Sequence, residues 1–97
     1  MKIVTRLEAE EGHAEAFNAL GHLTRLRIFF LLAQAKREVP AGEIQESLGV
    51  PGPTLSHHLN LLRLAGLISN RREERHVFYS VNKAMVSQLV RLLTDCC

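Results

Sequence analysis

Two kinds of side chain in this sequence are placed to do chemistry. Cys96 and Cys97 are adjacent and are the only cysteines. Consecutive Cα atoms lie about 3.8 Å apart, whereas a disulfide spans roughly 4.4–6.8 Å. A bond between them would be strained, and in a reducing compartment both stay thiols. Side by side, two thiolates can chelate a soft, thiophilic ion. The competing reading is a frayed terminus with no ligand, and the residues alone favour it. The second set is polar and basic: Thr54, Ser56, His57 and Asn60, followed by Arg71, Arg72, Arg75 and His76. Short hydrogen-bonding side chains reach base edges in a major groove, and arginines on a hairpin suit phosphates or a minor groove.

These residues need elements to hold them. Residues 41–48 read as a short helix, with Ile44 and Leu48 four apart and Gly49 as its left-handed end. A further helix starts near Pro51–Pro53, where a missing N–H costs nothing. Leu55, Leu59 and Leu62 form its inner stripe, and Gly66 closes it. Thr54, Ser56, His57 and Asn60 then point outward. The bare N–H groups near Gly52 and Thr54 suit a phosphate. His58 falls between the faces and reads as a buried, hydrogen-bonded histidine. Residues 68–72 and 75–81 read as two strands around a turn at Glu73–Glu74. Helix, turn, helix and charged hairpin follow one another without a gap. The fold expected is mainly α with a small β-hairpin: a homodimeric winged helix-turn-helix that reads duplex DNA. Each residue also has a plainer role. Thr54 could only cap, and Arg71 and Arg72 could only pair with Glu73 and Glu74. The order of the elements is what joins them.

The remainder of the chain reads as support. Residues 8–20 form a helix with Ala9, Ala16, Phe17 and Leu20 on one face. Gly21 breaks it. Thr24 caps a core helix running to Ala35, apolar nearly all round. Residues 36–40 are a loop, and residues 1–7 an extended arm or a helix start. The last helix, residues 82–97, carries two apolar rows: Met85, Leu89, Leu92 and Cys96, and Val86, Val90, Leu93 and Cys97. So wide a stripe reads as a dimer interface shared with the first helix.

Composition sets the outer bounds. Ninety-seven residues make one domain, 1–97. Net charge is only +2, but residues 1–50 sum to −1 and residues 51–97 to +3, so the excess lies in the reading half. No apolar run could span a bilayer and no signal-peptide pattern is present, so no membrane partner and a cytoplasmic location are expected. None of the five histidines is spaced to sit beside a cysteine nucleophile, which argues against an enzyme. RNA binding lacks stacking aromatics. A protein-interaction module on the same fold stays open.

The segments ALGHLTRLRIFFLL (19–32), GEIQESLGVPGPTLSHHLNLLRLAGLI (42–68) and RREERHVFYSV (71–81) resemble the ArsR/SmtB family of metal- and redox-responsive repressors. The resemblance implies a homodimeric winged helix that binds an operator and releases it on meeting an inducer. Two positions depart from the family pattern: Glu74 stands where glycine is frequent at the wing tip, and His22–Leu23 where Asp–Pro is common. Of the family's alternative sensor sites, the one in the helix before the recognition helix needs cysteines, and residues 43–48 have none. The zinc-type site on the last helix would begin near Lys83 and Met85, which are not ligands for it. The ending LLTDCC (92–97) resembles the cysteine pair of arsenic-responsive members. That likeness makes arsenite or antimonite the expected inducer at Cys96 and Cys97, with no cofactor needed for folding. A thiol redox response and cadmium or lead remain alternatives. A trivalent ion prefers three sulfurs, and the sequence leaves the third ligand open.

Overall fold

The computed structural model describes residues 8–95. The expectations for residues 1–7 and for Cys96 and Cys97 therefore lie outside the described residues. Within them the order is α1 (Glu11–Leu20), α2 (Leu23–Ala35), β1 (Val39–Pro40), α3 (Ala41–Leu48), α4 (Gly52–Leu64), β2 (Ile68–Glu73), β3 (His76–Val81) and α5 (Lys83–Thr94). The three strands form one antiparallel sheet in the order β1-β3-β2.

The core is built from the stripes that the periodicity picks out. Ile28 and Leu32 of α2, Ile44 of α3, and Leu55, Leu59 and Leu62 of α4 are buried together with Leu67 and Ile68. Full burial of each such side chain stabilises the fold by about 1.5–3 kcal/mol. Val39 closes the core beneath β1.

Helix ends follow local chemistry. Gly49 ends α3 with a φ of 65°, and its N–H donates to the Gln45 carbonyl at 2.8 Å. At the end of α4 the Gly66 N–H donates to Arg63 O at 3.0 Å and the Leu67 N–H to Leu62 O at 3.1 Å. That pair of bonds is a Schellman motif, and Gly66 takes its left-handed position at φ 79°. Asn82 then ties α5 to this turn. Its Nδ2 donates to Gly66 O at 2.8 Å and its backbone N–H to Leu67 O at 2.9 Å. Its Oδ1 caps α5 by accepting from the Met85 N–H.

The structure corrects several expectations. Helix α1 begins at Glu11, with Glu10 and His13 closing a capping box, so Ala9 precedes it. On α1 it is Ala16 and Ala19 that are buried, while Phe17 is 39% exposed. The cap of α2 is His22 rather than Thr24: its Nδ1 accepts from the Thr24 N–H at 3.2 Å. The imidazole does here what an aspartate cap would do. Helix α2 is apolar nearly all round but is not buried all round. Phe30 lies about 100° round from Phe29 and is 51% exposed.

The loop expected over residues 36–40 contains β1. Its two residues pair with β3, Val39 against Tyr79 and Pro40 against Phe78. The wing turn is one residue later than expected. Glu73 pairs with His76, leaving Glu74 and Arg75 as the turn. Glu74 sits at φ 56°, the left-handed region that glycine occupies most easily.

The apolar stripe of α5 is divided. Leu89 is buried, and Met85 and Val86 pack against the core, so two residues of the first row and one of the second serve the chain's own fold. Val90 and Leu93 face outward, 52% and 61% exposed.

Candidate nucleic-acid interface

Helix α4 separates its two faces cleanly. Leu55, Leu59 and Leu62 are buried, while Thr54, Ser56, His57 and Asn60 are all exposed. The four polar residues expected to read bases thus share the outward surface of one helix. Asn60 Oδ1 accepts from Arg63 Nη2 at 2.7 Å, one turn along, which orients its amide. No side chain caps the first turn of α4, whose N-cap is Pro51. The first helical bond of α4 runs from the Leu55 N–H to Pro51 O at 2.9 Å, so the N–H groups of Gly52 and Thr54 have no partner within the helix, the arrangement that suits an anion. A Cβ on Gly52 would meet only the Gln45 side chain, at 3.6 Å.

His58 points the other way. It is 8% exposed and is the buried polar residue of the core. Its Nδ1 lies 3.4 Å from Arg25 Nη1, and its ring lies 4.7 Å from that of His22 and 5.7 Å from that of His57. Arg25 in turn donates from Nε to the Ala19 carbonyl at 2.7 Å. One guanidinium thus links the end of α1 to the inner side of the reading helix. Burial, then the neighbouring His22, Arg25 and His57, pushes the His58 pKa down. Its neutral form is thereby favoured, the form whose Nδ1 can accept from Arg25.

The wing divides its basic residues by role. Arg72, Arg75 and His76 are exposed around the turn. Arg71 is engaged: its guanidinium donates to Glu38 and Glu73 and lies 4.8 Å from the centre of the Phe78 ring. The pairing of Arg71 with Glu73, weighed from sequence as its plainer role, is present. Arg25, His22 and Glu38 were not legible as partners of the site. Arg25 meets His58, and Glu38 meets Arg71, across 33 residues of sequence, and no local pattern marks such pairs. Among the described residues no group of three or more His, Cys, Asp or Glu could hold a metal ion.

A hairpin wing beside a polar-faced helix, after a helix and a glycine-ended turn, defines a winged helix-turn-helix protein of the DNA-reading class. Residues 20–71 match the helix-turn-helix domain family HTH_20. The HTH-type transcriptional regulator MJ1325 of Methanocaldococcus jannaschii is 37% identical over 89 residues, 92% of this chain and 99% of that protein. The biofilm growth-associated repressor of Xylella fastidiosa is 32% identical over 91 residues, 93% of this chain and 80% of that one. The homodimeric winged helix-turn-helix DNA-binding domain of Mb0332 from Mycobacterium bovis, a possible ArsR-family regulator, superposes with a TM-score of 0.72. It is 30% identical and covers 89% of this chain and 78% of its own. The chain belongs to this helix-turn-helix family, and its solved neighbours are ArsR-family winged-helix regulators. These are DNA-binding regulators of transcription and not enzymes.

Proposed function

We propose that the protein is a cytoplasmic repressor that binds double-stranded operator DNA as a homodimer, with one reading domain spanning residues 1–97. The observation that carries this is the outward row Thr54, Ser56, His57 and Asn60 on a helix whose opposite face is core. In this reading α4 enters the major groove and its first turn, at Gly52 and Thr54, takes a phosphate. Arg72, Arg75 and His76 on the wing meet the neighbouring backbone or minor groove. The outward Phe17, Val90 and Leu93 on α1 and α5 support a second copy as the dimer partner.

The inducer assigned is arsenite or antimonite, bound by the Cys96 and Cys97 thiolates. The support is the softness of two adjacent sulfurs and the likeness of the chain's ending to arsenic-responsive relatives. Helix α5 runs to Thr94, close before the pair, and carries the outward apolar row. An ion captured beyond that end would change the angle between subunits and the spacing of the two reading helices. Only a difference in ion affinity between the two arrangements can drive release.

Anisotropy of a labelled duplex, selected from a random library by the wild-type protein, tests both halves. A repressor loses affinity steeply as salt rises; a protein-interaction module on this fold shows no such slope. Release is then titrated with arsenite, antimonite, cadmium, lead and peroxide on wild type and Cys96→Ser. Selective release by the trivalent ions, lost in the variant, is the expected outcome. Release by peroxide alone gives a redox sensor, and equal release from both proteins removes the cysteines from the mechanism.

A further inference from the structure

Arg71 sits on the wing among residues that suit phosphate, yet its charge is already spent. Its Nε donates to Glu38 Oε2 at 2.9 Å and its Nη1 to Glu73 Oε2 at 2.8 Å. Its guanidinium lies 4.8 Å from the Phe78 ring centroid. The two carboxylates raise its pKa above the usual arginine value. Glu38 directly precedes β1, and its neighbour Arg37 pairs with Glu43 of α3. A continuous path of charge pairs therefore runs from the wing strand β2, through the residues before β1, to the first helix of the reading pair.

We propose that Glu38 and Arg71 form a latch that fixes the wing against the α3–α4 reader, and that Arg71 is a positioning residue rather than a phosphate contact. The proposal rests on the DNA-binding reading above. A lone exposed ion pair contributes little. Here two carboxylates and a ring face hold one planar guanidinium, so its orientation is set as well as its charge. An acidic side chain beside a DNA-facing surface opposes binding, and this one is tolerated because it is matched to Arg71.

That opposition gives the test a sign. Were Glu38 only a nearby acid, Glu38→Gln would tighten duplex binding by removing repulsion. As a latch, its loss loosens the part of the wing beyond the β1–β3 pairing at Tyr79 and Phe78, and the same substitution weakens binding by about three- to tenfold. Arg71→Ala should weaken binding similarly without changing the slope of log affinity against log salt. The double variant should be no worse than either single one. Arg72→Ala and Arg75→Ala should each lower that slope by about one. Tighter or unchanged binding by Glu38→Gln, or a slope lowered by about one in Arg71→Ala, overturns the latch. Amide hydrogen exchange on the free protein gives a reading independent of any duplex. Amides of β2 and β3 should exchange faster in Glu38→Gln and Arg71→Ala than in wild type or Arg72→Ala. Equal protection in all four overturns the latch even if the DNA reading itself has failed.

Discussion

At the scale of single residues, His58 and His57 are adjacent and have opposite fates. His57 is exposed on the reading surface, and His58 is buried against Arg25 and His22. Because its surroundings push the His58 pKa down, the unfolded chain binds a proton there more readily than the native one. The stability this contributes is complete above the ordinary histidine value of about 6.5 and is lost as pH falls below it. Denaturant unfolding from pH 7.5 to 5 should show a steeper loss in wild type than in His58→Gln. Parallel curves would mean that His58 is not the group being titrated. The inward place of His58 was legible from its position between the two faces of a 3.6-residue period. Its partner was not, because Arg25 arrives from another helix.

At the scale of elements, the ends are decided by a few atoms. Gly66 must hold a left-handed φ, and a Cβ there would lie 3.1 Å from Met85 Cε on α5. Gly42 is in the first turn of α3 with open space around it and no positive φ. Gly66→Ala should therefore destabilise the protein by about 1–2 kcal/mol, and Gly42→Ala should stabilise it by about 0.4–1 kcal/mol. Thermal or chemical unfolding of the pair checks both directions. Apolar spacing located the helices because burial obeys the helical repeat. It could not locate β1, since two residues, one of them proline, show no alternation and become a strand only by meeting Tyr79 and Phe78. It also placed the wing turn one residue early. The register joining Arg72 to Val77 and Glu73 to His76 is set across the sheet, not by the turn sequence.

At the scale of the whole molecule, the described chain leaves Phe17, Val90 and Leu93 outward on α1 and α5. A shared interface on these helices predicts that Val90→Glu shifts the protein from dimer to monomer in sedimentation. Duplex affinity should fall in step, since two half-sites need two linked readers. A variant that stays dimeric would place the interface elsewhere. The width of the α5 stripe was plain in the sequence, but its division between core and surface was not. Periodicity gives the angle around a helix and not what stands opposite each angle.

That division carries a consequence for dosage. Leu89 is buried in the chain's own core and Met85 and Val86 pack against it, so the inner half of α5 is satisfied within one copy. In the homodimer proposed above, the pairing of two such copies would follow mass action. At low expression its promoter occupancy would climb with about the square of protein abundance. A twofold change in synthesis would then be felt as roughly fourfold at the promoter by the same relation. The gene circuit would acquire a threshold from the unshared half of one helix.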